Sequence, residues 1–185
     1  MRNTCKREKI SNRAHRFSID YYSMPEKVKE MFKEEMLKAA EDDNPCMMFL
    51  LLERMKPLSE CESPIEKILL NALMRYSDEL WIGFEYKPQQ VIKANGKRYI
   101  ADILFDMDFY CLDKPYRLVI ECDGHDYHEI TKEQVERRNV RDMDLKMAGY
   151  DVLHYSGSQI FRNPKKCAKE ITEYIMVKVR ERAYG

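Results

Sequence analysis

The chain has 185 residues, a length typical of one domain with a helical appendage. Its 32 lysines and arginines balance 32 aspartates and glutamates, so net charge neither favours nor opposes a nucleic-acid partner. The six cysteines include no CxxC pair, and the longest apolar run, residues 46–52, is far too short to span a membrane. With no apolar leader sequence visible, we expect a cytoplasmic protein with reduced thiols and no membrane contact.

Residues 1–60 are predicted to form a basic arm followed by helices. Residues 1–16 carry six lysines or arginines and one acid, which suits either an arm that contacts phosphate or a solvated terminus. A capping-box pattern at Ser23–Glu26 predicts the start of a charged helix. A second, apolar helix is expected over about 46–55, ended by Pro57.

Residues 61–185 are predicted to form a single α/β domain. A capping box at Ser63–Glu66 starts a helix with an apolar stripe, and Asn95–Gly96 is a strong hairpin signal between the first two predicted strands. A third strand, 117–122, is apolar on both faces and should be central. The helices and strands expected in this segment cover, in order, 63–76, 81–92, 97–105, 117–122, 131–149, 151–155 and 163–182. This order predicts an α/β sandwich with a mixed four-stranded sheet.

Carboxylates interrupt two of these apolar strands. Asp102 lies in the second strand, and Glu121 and Asp123 lie at the end of the third. A buried strand accommodates a carboxylate only if that group is paired or binds a cation. Because Mg²⁺ prefers hard oxygen ligands, we expect Asp102 and Glu121 to bind Mg²⁺, or Mn²⁺ in its place. The alternative is that these side chains face solvent at the strand ends.

Other candidate residues surround these acids in the sequence. His128 follows the third strand closely and could act as a general base, a metal ligand or a phosphate contact, whereas His125 has the weaker claim. Glu66 is either the partner of Ser63 in the capping box or an acid that projects into the site. A row of polar side chains on the following helix either contacts phosphate or forms a solvated face: Gln134, Arg138 and Arg141.

Together these residues resemble a known nuclease superfamily. The segment from Ser63 to about Ile171 is similar to the very-short-patch-repair-like branch of the PD-(D/E)XK nucleases, which also include restriction and homing endonucleases. The resemblance rests on four pieces taken together: Ser63–Glu66, Ala101–Ile103, Val119–Gly124 with His128, and Arg141–Tyr155.

The resemblance implies an αβββαβα endonuclease core and Mg²⁺-dependent cleavage of DNA. By motif position, Asp102 and Glu121 would be metal ligands and Glu66 a supporting acid. Asp123 occupies the position of the lysine that is common in the superfamily. The resemblance therefore implies that His128 takes over the role of that lysine, with Lys132 as the alternative base.

The sequence thus predicts a metal-dependent DNA endonuclease, with a helical amino-terminal segment at 1–60 and the endonuclease-like domain at 61–185. The alternatives are a catalytically inactive nucleic-acid-binding protein with the same fold, and a protein that docks partners through its amino-terminal helices. The sequence leaves open whether the chain forms a homodimer and which kind of DNA it cleaves.

Overall fold

The computed structural model describes residues 21, 23–124 and 131–185. Contacts within the chain divide it after Glu60 into two compact units, residues 1–60 and 61–185. The predicted basic arm, residues 1–16, lies outside the described residues. So do His125 and His128, whose predicted roles therefore stay predictions.

The described part of the first unit is helical. It consists of α1 (Glu26–Met31), α2 (Lys33–Glu41) and α3 (Pro45–Glu60). The sequence pattern predicted one helix from Ser23, and this is wrong in two respects. The first helix has Pro25 as its N-cap residue, and Phe32 divides the helical segment, with φ of −114° and ψ of 8°.

The third helix also differs from its prediction, because it runs through Pro57 to Glu60 instead of ending near residue 55. A proline inside a helix removes one intrahelical hydrogen bond and crowds the preceding turn. Here the apolar pattern continues past the proline. Leu51, Leu52, Met55 and Leu58 are all buried, and burial of Leu58 favours continuing the helix for another turn.

The second unit has the predicted order of elements plus one short helix. It consists of α4 (Pro64–Leu80), β1 (Tyr86–Ala94), β2 (Lys97–Met107), β3 (Tyr116–Asp123), α5 (Lys132–Met147), β4 (Asp151–Ser156), α6 (Gly157–Arg162) and α7 (Pro164–Tyr184). The strands form one sheet in the order β1-β2-β3-β4. The pairs β1–β2 and β2–β3 are antiparallel, and β3–β4 is parallel. The predicted fold class, a mixed four-stranded sheet in a restriction-endonuclease-like core, is confirmed.

The hairpin between β1 and β2 follows its sequence signal. Asn95 and Gly96 have φ of 48° and 73°, the pair of positive values that a two-residue type I′ turn requires. The prediction that β1 starts at Trp81 is wrong. Trp81 is instead the C-cap of α4 in the left-handed conformation, and its side chain is exposed, so the strand begins only at Tyr86.

Strand β3 is the central strand that its sequence predicted. It lies between β2 and β4, and Leu118, Val119 and Ile120 are fully buried although successive side chains point to opposite faces. Burial on both faces requires cover on both faces. Polar groups at the end of this strand therefore lie at the edge of a dry, rigid core.

Asp144 on α5 connects that helix to the β1–β2 hairpin. Its Oδ1 accepts a hydrogen bond from Asn95 Nδ2 at 2.8 Å, and its Oδ2 accepts bonds from Lys97 Nζ at 2.9 Å and from the Tyr99 hydroxyl. Only 6% of the Asp144 side chain is exposed, so its charge depends on these donors. This network fixes the position of α5 relative to β2.

Candidate active site

Asp102 interrupts the hydrogen-bond ladder on both sides of β2. Towards β3 the paired register ends at Ile103–Ile120, and the Asp102 carboxylate accepts a hydrogen bond from the Cys122 backbone N–H at 2.7 Å. Towards β1, the residue opposite Asp102 is Gln89, whose φ of 52° is unusual for any residue other than glycine. Local interruptions of this kind cluster at functional sites, because regular pairing would not place the side chains as needed.

Glu121 is the neighbour of Asp102 on β3. The register that pairs Ile103 with Ile120 places Asp102 and Glu121 at adjoining positions of adjacent strands. The Glu121 side chain is 6% exposed and its Oε1 lies 2.7 Å from Arg141 Nη2. The structure thus brings the two predicted ligands into one place.

The pKa values of these two carboxyls are raised, chiefly by burial. Burial raises the pKa of Glu121 to about 7, and the charge of Asp102 adds to the effect, against the opposing charge of Arg141. Burial also raises the pKa of Asp102, and the charges of Glu66 and Asp123 contribute to it. Carboxylates that disfavour ionisation in this way gain free energy when a cation binds between them.

The pKa of Asp123 is shifted in the opposite direction from those of Asp102 and Glu121. Its Oδ2 lies 3.3 Å from Arg138 Nη1 and 3.4 Å from His154 Nδ1. Burial alone would raise the pKa of Asp123, but the contact with His154 and the charge of Arg138 outweigh it and hold that pKa below its ordinary value. Asp123 thus lies near two basic side chains, although its Oδ2 accepts no hydrogen bond from the described residues.

His154 is a part of this site that the sequence pattern did not indicate. It is the register partner of Glu121 on β4, and its Nε2 lies 3.0 and 3.2 Å from the two carboxylate oxygens of Asp142. Burial lowers the pKa of His154, but the contacts with Asp123 and Asp142 outweigh that effect and raise it. The sequence alone favours a structural role for His154, because it stands alone in an apolar strand, and only the parallel register shows its neighbours.

Glu66 forms the predicted capping box and also contacts β1. Its Oε1 accepts a hydrogen bond from Ser63 N at 3.0 Å. Its Oε2 accepts bonds from Glu62 N at 3.0 Å and from Gln89 Nε2 at 2.8 Å. The capping reading explains the position of Glu66, and the bond to Gln89 connects the helix start with the strand residue opposite Asp102.

The three α5 residues that were predicted to contact phosphate have two different roles in the structure. Arg138 and Arg141 contact the acids Asp123 and Glu121, and Arg141 also donates to the Ile100 carbonyl. Gln134 closes the Thr131 capping box, with its Oε1 accepting from Thr131 N at 2.8 Å. Lys132, the alternative base, is the first residue of α5 and is exposed.

A groove lies beside Arg141. The Arg141 guanidinium is 5.9 Å from the centre of the Tyr99 ring, and Tyr99 is one wall of this groove of about 540 Å³. Its lining includes positive charges, negative charges and an aromatic ring. The lining residues are Lys97, Tyr99, Glu133, Glu136, Arg137 and Val140. The groove thus presents an aromatic ring and charged side chains near Arg141.

The donor set fits a magnesium ion held by two carboxylates. Among the described residues, no group of three or more histidine, cysteine, aspartate or glutamate side chains is arranged to hold a metal. Mg²⁺ does not need such a group, because it commonly takes one or two carboxylates and completes its shell with water and phosphate. Asp102 and Glu121, with their raised pKa values, are the residues that would hold it.

The fold and a family comparison agree on one class of protein. The second unit has three consecutive antiparallel strands, then a crossover helix, then a fourth strand that pairs parallel to the third. This arrangement is typical of the restriction-endonuclease core. Residues 84–175, which are 92 of the 185 residues, match the model of REase_MTES_1575, a restriction-endonuclease-like family. The match indicates a nuclease, that is, a phosphodiesterase, and the matched segment contains every site residue above except Glu66. No significant match was found among curated proteins or among solved structures.

Within the part of the chain that the structure describes, no helix is both long and apolar enough to cross a membrane.

Proposed function

We propose that the protein is a metal-dependent DNA endonuclease that hydrolyses phosphodiester bonds. The observation that carries the proposal is the pairing of the half-buried Asp102 with the buried Glu121, on adjacent strands of a restriction-endonuclease-like core, with the pKa of both carboxyls raised. Within this class we propose the very-short-patch-repair-like branch, on the sequence pieces from Ser63 to Tyr155.

Asp102 and Glu121 would hold Mg²⁺, or Mn²⁺, in this mechanism. The ion would neutralise charge on the scissile phosphate and lower the pKa of an attacking water. Asp102 is kept in place by the Cys122 amide, and Glu121 by Arg141. Glu66, which bonds to Gln89 opposite Asp102, would support the site as a further negative charge.

Arginines of α5 and the adjoining groove would bind the DNA strand. Arg141 is 29% exposed, so its guanidinium can contact a phosphate oxygen while it remains next to Glu121. The groove beside Tyr99 offers an aromatic ring for a base, and Lys97 and Arg137 for the backbone. His128, or Lys132 in its place, would act as the general base.

Cleavage of supercoiled plasmid tests the proposal. Purified protein is incubated with plasmid in Mg²⁺, in Mn²⁺ and in EDTA, beside an Asp102→Asn variant as the inactive control. We expect nicked or linear product only with a divalent ion and only with the wild-type chain. Binding of DNA without cleavage under all conditions would favour the alternative, a catalytically inactive nucleic-acid-binding protein.

A further inference from the structure

Two carboxylates from different elements hold one imidazole between them. His154 Nδ1 faces Asp123 Oδ2 at 3.4 Å, and His154 Nε2 faces the Asp142 carboxylate at 3.0 and 3.2 Å. The His154 side chain is 14% exposed, so it is largely withdrawn from solvent. The hydrogen bonds of Nε2 to Asp142 fix the plane of the ring, and the Nδ1–Asp123 contact is an ion pair without hydrogen-bond geometry.

Asp123 needs this support because of its position. Asp123 and Glu121 are two residues apart on β3, so their side chains lie on the same side of the strand and repel each other. Arg138 contacts Asp123 from α5, and His154 contacts it from β4. Cations on two different elements therefore define where the Asp123 carboxylate lies.

We infer that His154, oriented by Asp142, is a positioning residue that holds the Asp123 carboxylate beside the Asp102–Glu121 pair. Asp123 is then placed to accept a hydrogen bond from the attacking water. His154 itself touches neither substrate nor metal and acts through Asp123. The inference rests on the proposed nuclease function, and it adds to that function a group that the sequence pattern did not indicate.

This role predicts a loss of turnover without a loss of binding. We expect His154→Asn to lower kcat for plasmid cleavage by about 10- to 100-fold, the usual effect of removing a group that orients a site residue. The KM for DNA and the affinity for Mg²⁺ by calorimetry should change by no more than about twofold, because Asp102, Glu121 and Arg141 stay in place. Asp142→Asn should also lower kcat while it leaves the KM for DNA and the Mg²⁺ affinity almost unchanged, but its effect on kcat should be smaller.

A double substitution tests whether His154 acts through Asp123. In the Asp123→Asn background, His154→Asn should slow cleavage no further, because residues that act as a unit are not additive. Tyr155→Phe is the matched control, since Tyr155 is the next residue of β4 and points to the other side of the sheet. It should keep the wild-type kcat.

Each outcome decides the inference. Thermal unfolding checks the fold of every variant, and His154→Leu, whose side chain cannot donate to a carboxylate, replaces His154→Asn if that variant unfolds. A wild-type kcat in the His154 variant, or independent effects in the double variant, would overturn the positioning role while the nuclease proposal stands. A wild-type chain that cleaves no DNA would instead refute the nuclease proposal, and the inference with it.

Discussion

Arg141 and Glu121 form a close ion pair, with Nη2 2.7 Å from Oε1, in which the carboxylate is almost fully buried and the guanidinium is partly exposed. The arginine therefore neutralises the same carboxylate that we propose as a metal ligand. A metal ion and Arg141 compete for the charge of Glu121, while the exposed side of the guanidinium remains available to phosphate.

This competition predicts that Arg141→Gln changes the affinity for Mg²⁺ and the affinity for DNA in opposite directions. Affinity for Mg²⁺ should rise because the competing cation is gone; it is measured by calorimetry over a series of increasing pH values, since loss of Arg141 also raises the pKa of Glu121. Affinity for DNA, measured by fluorescence anisotropy in Ca²⁺, should fall about 5- to 10-fold with the loss of a phosphate contact. Arg137→Gln, on the same helix but without an acid partner in the site, should leave Mg²⁺ affinity unchanged. A fall in both affinities would contradict the competition.

Asp102 is both a proposed ligand and an acceptor for the sheet, and the two roles can be separated. Asp102→Asn keeps an oxygen for the Cys122 amide and removes the charge, so cleavage should fall by at least about 100-fold with the fold intact. Asp102→Ala loses the acceptor as well and should unfold at a free energy about 1–3 kcal/mol below that of the Asn variant. Urea denaturation measures the difference. Asp106→Asn, on the same strand but paired with Arg117, is the control and should cleave normally.

Glu66→Gln tests whether the cap residue also serves the chemistry. The glutamine keeps one oxygen for the Ser63 amide, but the NH₂ group that replaces the other oxygen can accept from neither Glu62 N nor Gln89 Nε2, so stability should fall by about 1 kcal/mol. If the negative charge supports the site, cleavage should fall much further than this small destabilisation explains. Plasmid cleavage at a temperature where the variant is fully folded measures the effect, and a wild-type rate there would leave Glu66 a structural residue only.

The lowered pKa of Asp144 predicts how the free energy of unfolding depends on pH in the acidic range. Hydrogen bonds from Tyr99, Lys97 and Asn95 lower the pKa of Asp144 to about 2. Because the folded pKa lies below the unfolded one, the stabilisation is complete above about pH 4 and disappears as the pH falls towards 2. Wild type should therefore exceed Asp144→Asn in free energy of unfolding at neutral pH, and the two curves should converge across that acidic interval. A constant difference from pH 7 down to about pH 2 would show that the network does not depend on the charge.

Local signals in the sequence predicted most of the second unit. The hairpin, the central strand and the capping box at Ser63 all depend on residues within a few positions of one another, and the structure has each of them. Asp102 and Glu121 stood out because acids are rare inside apolar strands. Their adjacency then followed from the antiparallel order of the strands.

Contacts between distant residues could not be predicted in this way. His154 meets Asp123 through a parallel register across a separation of 31 positions, and no local pattern encodes that pairing. The left-handed conformation of Gln89 is likewise a result of the geometry around Asp102 rather than of a turn signal. In the first unit, burial of Leu58 outweighed the usual helix-ending effect of Pro57.

The parallel pairing of β3 with β4 has a consequence for the order of events during folding. Parallel strands joined by a helix form slowly, because the loop between them must close before any contact compensates for its entropy. Asp102 and Glu121 can meet once the antiparallel strands have formed, but His154 reaches Asp123 only when the chain has crossed over and added its last strand. A partly folded chain would therefore carry the carboxylate pair without the group that we infer to position Asp123, and full hydrolytic competence would appear only with the finished fold.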